Sequence, residues 1–195
     1  NESYSHFTVN KEGNIRFGLK GIRSFGSNVA EAIIADRTAN GMYADIFDFV
    51  ERLGNSLGRK AIECLVYSGG FDSFGIRRKQ FFLPCRSGNL FIDELARYAT
   101  LYCQDAVNSA ASLFGEVEEM KPVRPEIPEM VSADDEFEWL QKEKEYVGMY
   151  ISSHPLDKYA FEMESFTNCE LANLNKQVAD CEASNKKMKV AVAGL

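Results

Sequence analysis

The residues best suited to chemistry lie in a short turn between two stretches with helical spacing. The turn reads Ile22-Arg23-Ser24-Phe25-Gly26-Ser27. The first amides of a helix have no partner within that helix, and they form the positive end of its dipole. Small residues in the turn let an anion approach these amides closely. The turn therefore predicts a phosphate-binding site, with Phe25 anchoring it in the core.

The predicted phosphate ligands combine backbone amides with hydroxyl and basic side chains. Gly26 leaves the main chain bare, and Ser27 or Asn28 is expected to cap the helix that follows, with Glu31 completing a capping box. An ordinary pair of helices joined by a glycine turn is the alternative interpretation. The candidate DNA-binding residues of this turn are Lys20, Arg23, Ser24, Gly26, Ser27 and Asn28.

A second stretch, AIECLVYSGGFDSFGIRRK, repeats the order of helix, glycine pair, aromatic residue and new helix. Two such units packed about a pseudo-two-fold axis could contact both DNA strands across a minor groove. Asp72 is expected to cap the second unit itself and to repel phosphate, so this unit mainly supports the first. For the basic residues near it, a solvated charged face is the alternative to DNA contact. These further candidates are Arg59, Lys60, Arg77, Arg78 and Lys79.

Charge is divided unevenly along the 195 residues, whose net charge is −7. Residues 1–90 hold 12 Lys and Arg against 9 Asp and Glu, whereas residues 91–195 hold 10 against 20. Because Lys and Arg neutralise phosphates when a protein binds DNA, the basic first half is the better candidate for nucleic-acid binding. The two halves are expected to have different roles.

Composition excludes several other classes. Five cysteines without a CxxC pair and two histidines argue against a zinc site or a disulfide framework. His154 has no nucleophile or acidic partner at meaningful spacing, so no catalytic residue is predicted. No metal-binding residue and no cofactor is predicted either. The chain has no apolar stretch long enough for a membrane span and no signal peptide, which favours a cytoplasmic protein without a membrane partner.

Local patterns predict a mainly α fold with a few short strands. Residues 7–17 alternate like a β-hairpin, and a long helix is expected from about Phe91 to Ala111. Prolines at three-residue spacing, at 122, 125 and 128, indicate an extended linker before a helix that begins near Asp135. The last residues, KKMKVAVAGL, are typical of the first strand of a β domain. With no partner strand in the sequence, we expect a piece of a longer protein.

Several of these segments together resemble one protein family. The segments NESYSHFTV, GNIRFGLKGIRSFG, AIECLVYSGGFDSFG, ASLFG, EKEYVGMYISSHPLDKY and VAVAGL occur here in an order similar to that in the C-terminal half of the alpha subunit of bacterial DNA polymerase III. The resemblance covers nearly the whole chain. One departure lies in the first turn, where the family usually has Gly-Val-Gly and this chain has Ser24-Phe25-Gly26.

The resemblance implies a domain order and a replicative role. It implies a parent DNA-directed DNA polymerase whose metal-binding carboxylates, expected to hold Mg²⁺, lie upstream of residue 1, so this chain itself binds duplex DNA without catalysis. The implied segments are a tandem helix-hairpin-helix domain (1–80), a helical extension (81–115), a Pro/Glu-rich linker (116–134), a helix with the SSHPLD turn (135–160) and the start of a truncated OB-fold (161–195).

Two other functions remain open. The family's clamp-binding motif falls on residues 110–114, where Leu113 and Phe114 could fill an apolar pocket while Ala110 replaces the usual glutamine. The chain could therefore be an interaction module that docks to the sliding clamp or to other replicase subunits. A scaffold for DNA repair or recombination, built on the same hairpins, is the third possibility.

Overall fold

The computed structural model describes residues 1–54, 56–111, 122–130, 136–184 and 187–193, with the backbone alone for 106–111. Within these ranges the chain is mainly helical with one two-stranded sheet, as predicted. The elements are β1 (Thr8–Val9), β2 (Ile15–Arg16), α1 (Ser27–Asn40), α2 (Ile46–Leu53), α3 (Arg59–Tyr67), α4 (Phe91–Ala111), α5 (Glu136–Val147), α6 (Ala160–Phe166) and α7 (Leu174–Ser184), with 3₁₀ turns at Leu19–Gly21, Asp72–Phe74, Arg78–Phe82, Asp157–Tyr159 and Leu171–Asn173.

The chain forms two compact units, residues 1–150 and 151–195. In the first unit, α5 packs with the hairpin region. Leu140 and Val147 of α5 are buried, and Trp139 stacks on Tyr67 and Phe82. No helix of the described ranges is both long and apolar enough to cross a membrane.

The predicted β-hairpin is present and leads directly into the first turn. Val9 pairs with Ile15, and the Asn10 amide donates to the Asn14 carbonyl at 2.9 Å. Gly18 follows, where a Cβ atom would lie 2.5 Å from the His6 backbone. Glycine is therefore required at this crossing, because a Cβ atom cannot approach backbone so closely.

Helix α2 has the apolar spacing of an amphipathic helix. Its residues Ile46, Phe49, Val50 and Leu53 recur at i, i+3, i+4 and i+7, and all four are buried. The Asp45 carboxylate caps the helix by accepting from the Asp48 amide at 2.8 Å. Local sequence alone is enough to specify this helix, since both its cap and its apolar face are contiguous.

Helix α4 is the centre of the first unit. It contacts α2 and α3 through a fully buried face that includes Phe91, Ile92, Leu95 and Ala99. A Cβ atom at Gly54 would lie 2.5 Å from the Ala99 carbonyl oxygen, so the end of α2 abuts the α4 backbone.

The proline-rich residues 122–130 have neither helix nor strand, as predicted, and they bind along the surface of the first unit. The Arg124 guanidinium forms two hydrogen bonds with the Glu51 carboxylate, at 2.7 and 3.1 Å. Further along, the Gln80 side chain donates to the Pro128 carbonyl at 2.7 Å, and Ile127 packs against the core. We name residues 122–130 the proline strap.

The second unit contains α6 and α7, and the part of its last segment that the structure describes does not form the predicted strand. Residues 187–193 form no strand. Instead, the Asn168 side chain accepts from the Ala191 amide at 2.9 Å and donates to the Lys189 carbonyl at 3.0 Å. The Asn168 backbone amide also donates to the Ala191 carbonyl at 3.2 Å, so this segment bonds to both the side chain and the backbone of one asparagine.

The start of α4 is stabilised by a carboxylate that sequence analysis did not single out. The Glu94 carboxylate accepts from Asn89 and Ser87 at 2.8 Å each and from the Arg97 guanidinium at 2.5 Å. The hydrogen bond from Asn89, followed by those from Arg97 and Ser87, lowers the pKa of Glu94 from 4.5 to about 2. Ionised Glu94 therefore stabilises the fold above pH 4.5, and this contribution is lost as the pH falls towards 2.

We predict that Glu94→Gln lowers the free energy of unfolding at pH 7 and that the loss shrinks between pH 4.5 and pH 2. Urea unfolding of both proteins across this range measures the difference between their free energies of unfolding. The contributions of the other carboxylates are the same in both proteins and cancel in this difference. A difference that does not change with pH would contradict the assigned role of Glu94.

Candidate nucleic-acid interface

The turn before α1 is fixed from inside by two side chains. Ile22 and Phe25 are only 6% and 8% exposed, whereas Arg23, Ser24 and Gly26 between and after them lie on the surface. The prediction that Phe25 anchors the turn in the core is confirmed. The alternation places the backbone of the turn against solvent.

Ser24 adopts the left-handed conformation, with φ of 61°. For a residue with a Cβ atom this conformation costs about 1–2 kcal/mol relative to the right-handed helix. The Cys64 thiol lies beneath the turn, 3.7 Å from the Arg23 carbonyl oxygen and 3.8 Å from that of Ser24. The carbonyl groups of Arg23 and Ser24 therefore point towards the buried side of the turn, beside the Cys64 thiol.

The predicted capping box at the start of α1 is wrong. Gly26 is the N-cap residue, no side chain caps the helix, and Ser27 is already its first helical residue. Glu31 instead pairs with Lys20, with its carboxylate 2.7 Å from the ammonium. The hydrogen bond from Lys20 also lowers the pKa of Glu31, so the carboxylate stays with this cation.

The uncapped start of α1 leaves several amides open. The Val29 and Ala30 amides bond back to the Gly26 carbonyl at 3.1 Å. No described residue accepts a hydrogen bond from the amides of Ser24, Gly26, Ser27 or Asn28, and all four residues are exposed. A Cβ atom added at Gly26 would meet only Val29, at 3.6 Å, so the space beside Gly26 is open.

Helix α5 holds the turn from the side. The Arg23 amide donates to the Tyr146 carbonyl, near the C-terminal end of α5, at 2.8 Å. The Tyr146 ring lies 5.0 Å from that of Tyr67 on α3. Sequence analysis missed this contact between Tyr146 and the turn, because no local pattern gives a signal for it.

The basic candidates near the turn differ in how strongly they are paired. Lys20 is shared with Glu31, whereas the exposed Arg23 guanidinium has no partner among the described residues. Arg59 pairs with Asp93 at 2.5 Å and with Glu63 at 3.1 Å, and the hydrogen bond to Asp93 raises its pKa. Arg23 is therefore the cation of the first turn best placed to take a phosphate.

The second hairpin unit is built differently from the first. Its glycine pair leads into the short 3₁₀ turn Asp72–Phe74, so it presents no α-helix start. Asp72 does not cap this turn, contrary to expectation, but accepts from Arg78 at 2.6 and 3.1 Å. At Gly69 a Cβ atom would lie 2.5 Å from the Arg78 guanidinium, and φ is +74°, so glycine is required there.

The Arg78 side chain is mostly buried and forms ion pairs within the fold. Its side chain is 12% exposed and also bonds the buried Glu143 carboxylate of α5 at 2.8 Å. Burial opposes the charge, but the hydrogen bonds to Asp72 and Glu143 outweigh it and raise the pKa of Arg78. This placement argues against the predicted DNA contact by Arg78. Arg77 is exposed and Lys79 is half-buried, so DNA binding by these two stays a prediction.

The remaining candidates are the clamp-binding pair, a metal site and His154. Leu113 and Phe114, the predicted clamp-binding pair, lie outside the described residues. The structure brings together no group of three or more His, Cys, Asp or Glu able to hold a metal, within the ranges it describes. His154 lies in a turn, where its amide donates to Asp157 at 2.7 Å.

Comparison with known proteins matches this region to a known motif. Residues 1–81 match the model of the helix-hairpin-helix motif. The whole chain is similar to proteins named DNA polymerase III subunit alpha. The protein of Deinococcus radiodurans is 33% identical over 197 residues, and those of Haemophilus influenzae and Vibrio cholerae are 29% and 28% identical over 192 and 203 residues.

These relatives are much longer than the chain. The alignments cover 97–100% of this chain and only 14–16% of the three relatives. The similarity therefore concerns one region of these subunits. That region includes both hairpin units, the proline strap and α5.

We predict that Ser24→Gly raises the free energy of unfolding by about 0.5–1 kcal/mol, because glycine adopts positive φ without strain while losing more entropy on folding. Chemical denaturation of the 195-residue chain measures the change. Ser27→Gly, at an ordinary helical position nearby, is the matched control and should destabilise slightly. Equal effects of the two substitutions would contradict a strained Ser24.

Proposed function

We propose that the first unit binds the backbone of duplex DNA without sequence preference, as one region of a DNA polymerase III alpha subunit. The match to a helix-hairpin-helix motif and the similarity to the alpha subunits support this proposal. In it, the chain contributes binding and the polymerase chemistry, with its Mg²⁺ ions, belongs to other parts of the parent protein. The OB-fold expected from residue 161 onward is a further part of the proposal.

The observation that carries the proposal is the set of open amides at the start of α1. Backbone amides at a helix start are suited to phosphate because their partial positive charge adds to the helix dipole. Amides contact phosphate and sugar rather than base edges, so they position a duplex without reading its sequence. Arg23 and Lys20 add charge beside them, although Lys20 must first leave Glu31.

Ser27→Pro tests the amides directly. Proline is well tolerated as the first helical residue, and it removes the amide hydrogen that would bind phosphate. The extended Gly26 backbone, with φ of −68° and ψ of 132°, also suits a following proline. We expect duplex affinity to fall about ten- to a hundredfold, because a hydrogen bond to a charged group is worth about 1.5–3 kcal/mol. Stability should be unchanged or raised.

Ser27→Ala is the matched control, since it removes the hydroxyl and keeps the amide. Fluorescence anisotropy with a labelled duplex gives both affinities, and thermal unfolding verifies the fold. If Ser27→Pro and Ser27→Ala bind equally well, the amide does not contact DNA and the proposal fails.

Salt dependence provides a second test. If the chain contacts about three phosphates, the logarithm of affinity falls with the logarithm of salt concentration at a slope near −3. Arg23→Gln should reduce this slope by about 0.9. Arg86→Gln removes the same charge at a side chain that is 89% exposed and far along the sequence, and it should leave the slope unchanged.

Two duplexes of unrelated sequence should give the same affinity within about twofold, because a wrong base pair typically costs a sequence-reading protein about 1–3 kcal/mol. A strong preference for one duplex would contradict binding through the backbone alone.

A further inference from the structure

Helix α5 lies close enough to the turn to take part in binding. The contacts that fix it to the hairpin region include the Glu143–Arg78 ion pair, the stacking of Trp139 on Tyr67 and Phe82, and the bond from the Arg23 amide to its backbone. Its position is therefore determined by the same core that positions the open amides. Its surface side chains are candidates for extending the site.

Tyr146 connects the turn to a second cation. Its carbonyl accepts from the Arg23 amide at 2.8 Å, while its hydroxyl oxygen accepts from the Lys60 ammonium at 3.2 Å. The ammonium also lies 5.5 Å from the centre of the Tyr146 ring. Tyr146 thus contacts both the turn and Lys60, so Lys60 lies about one tyrosine side chain away from the turn.

The Lys60–Tyr146 pair keeps donors available for an anion. The hydroxyl accepts from Lys60, which leaves its own hydrogen, and no described residue accepts that hydrogen. The ammonium has three N–H groups, and its other neighbour is the Glu63 carboxylate at 3.7 Å, which pairs more closely with Arg59, at 3.1 Å. The Lys60 side chain is 59% exposed and Tyr146 is half-buried, so a phosphate could approach the ammonium from solvent and meet the hydroxyl beside it.

We propose that the Tyr146 hydroxyl and the Lys60 ammonium together bind a second phosphate of the DNA backbone, next to the one held by the amides of the turn. This inference rests on the proposed function and adds α5 to the DNA-binding surface. Tyr146 supplies a neutral O–H donor and Lys60 the charge. The ligand is a phosphodiester group of a duplex already held at the turn.

Tyr146→Phe tests the hydroxyl while keeping the ring and its stacking. We expect affinity for a labelled duplex to fall about three- to tenfold, with an unchanged salt slope because the hydroxyl is neutral. Lys60→Gln should lower affinity and reduce the slope by about 0.9. If both groups hold the same phosphate, Tyr146→Phe should cost less in the Lys60→Gln background than alone.

Controls separate this inference from the proposed function. Tyr102→Phe removes a hydroxyl from a half-buried tyrosine of α4 and should change nothing, while thermal unfolding confirms that Tyr146→Phe folds. If Ser27→Pro weakens binding and Tyr146→Phe does not, the turn binds DNA and the inference is wrong. Equal losses from Tyr146→Phe with and without Lys60 would overturn the shared phosphate. If no variant alters duplex binding, the proposed function fails as well.

Discussion

The hydrogen bond from the Arg23 amide to the Tyr146 carbonyl joins two segments that lie far apart in the sequence. It matters because amides can hold an anion only if the backbone that carries them stays in place. Phe25 and Ile22 fix the turn from the core, and α5 fixes it from the side. A rigid arrangement of donors avoids the entropic cost of ordering the turn each time a ligand binds.

The docking of α5 depends in turn on a buried ion pair. The Glu143 side chain is 1% exposed and forms an ion pair with Arg78. Arg78 also forms an ion pair with Asp72 of the second hairpin unit. A buried pair adds little over apolar packing, but loss of one partner leaves an uncompensated charge and costs about 3–5 kcal/mol. The second hairpin unit therefore supports the first hairpin unit by holding α5. This role is a physical reason why the second hairpin is built differently from the first.

Sequence reasoning succeeded where the determinants are local. The apolar face and the Asp45 cap of α2 are contiguous, so the helix could be predicted from eight residues and their neighbours. The turn at Gly26 was found for the same reason. Sequence reasoning failed where the partner of a residue lies on another element. Glu31 pairs with Lys20 and does not cap α1. Arg78 is not distinguishable from its exposed neighbour Arg77 in the sequence, but in the structure it pairs with Glu143 and is largely buried. The contact between Tyr146 and Arg23 has no local signature at all.

The proline strap has a consequence for how α5 reaches its place. Arg124 and the Pro128 carbonyl bond to Glu51 and Gln80, so the chain is already held beside the hairpin region shortly before α5 begins. The eight steps along the chain from Pro128 to Glu136 can span at most about 29 Å. The start of α5 therefore always lies within that distance of Pro128. Reattachment after any transient release is thereby an encounter within one molecule, independent of protein dilution.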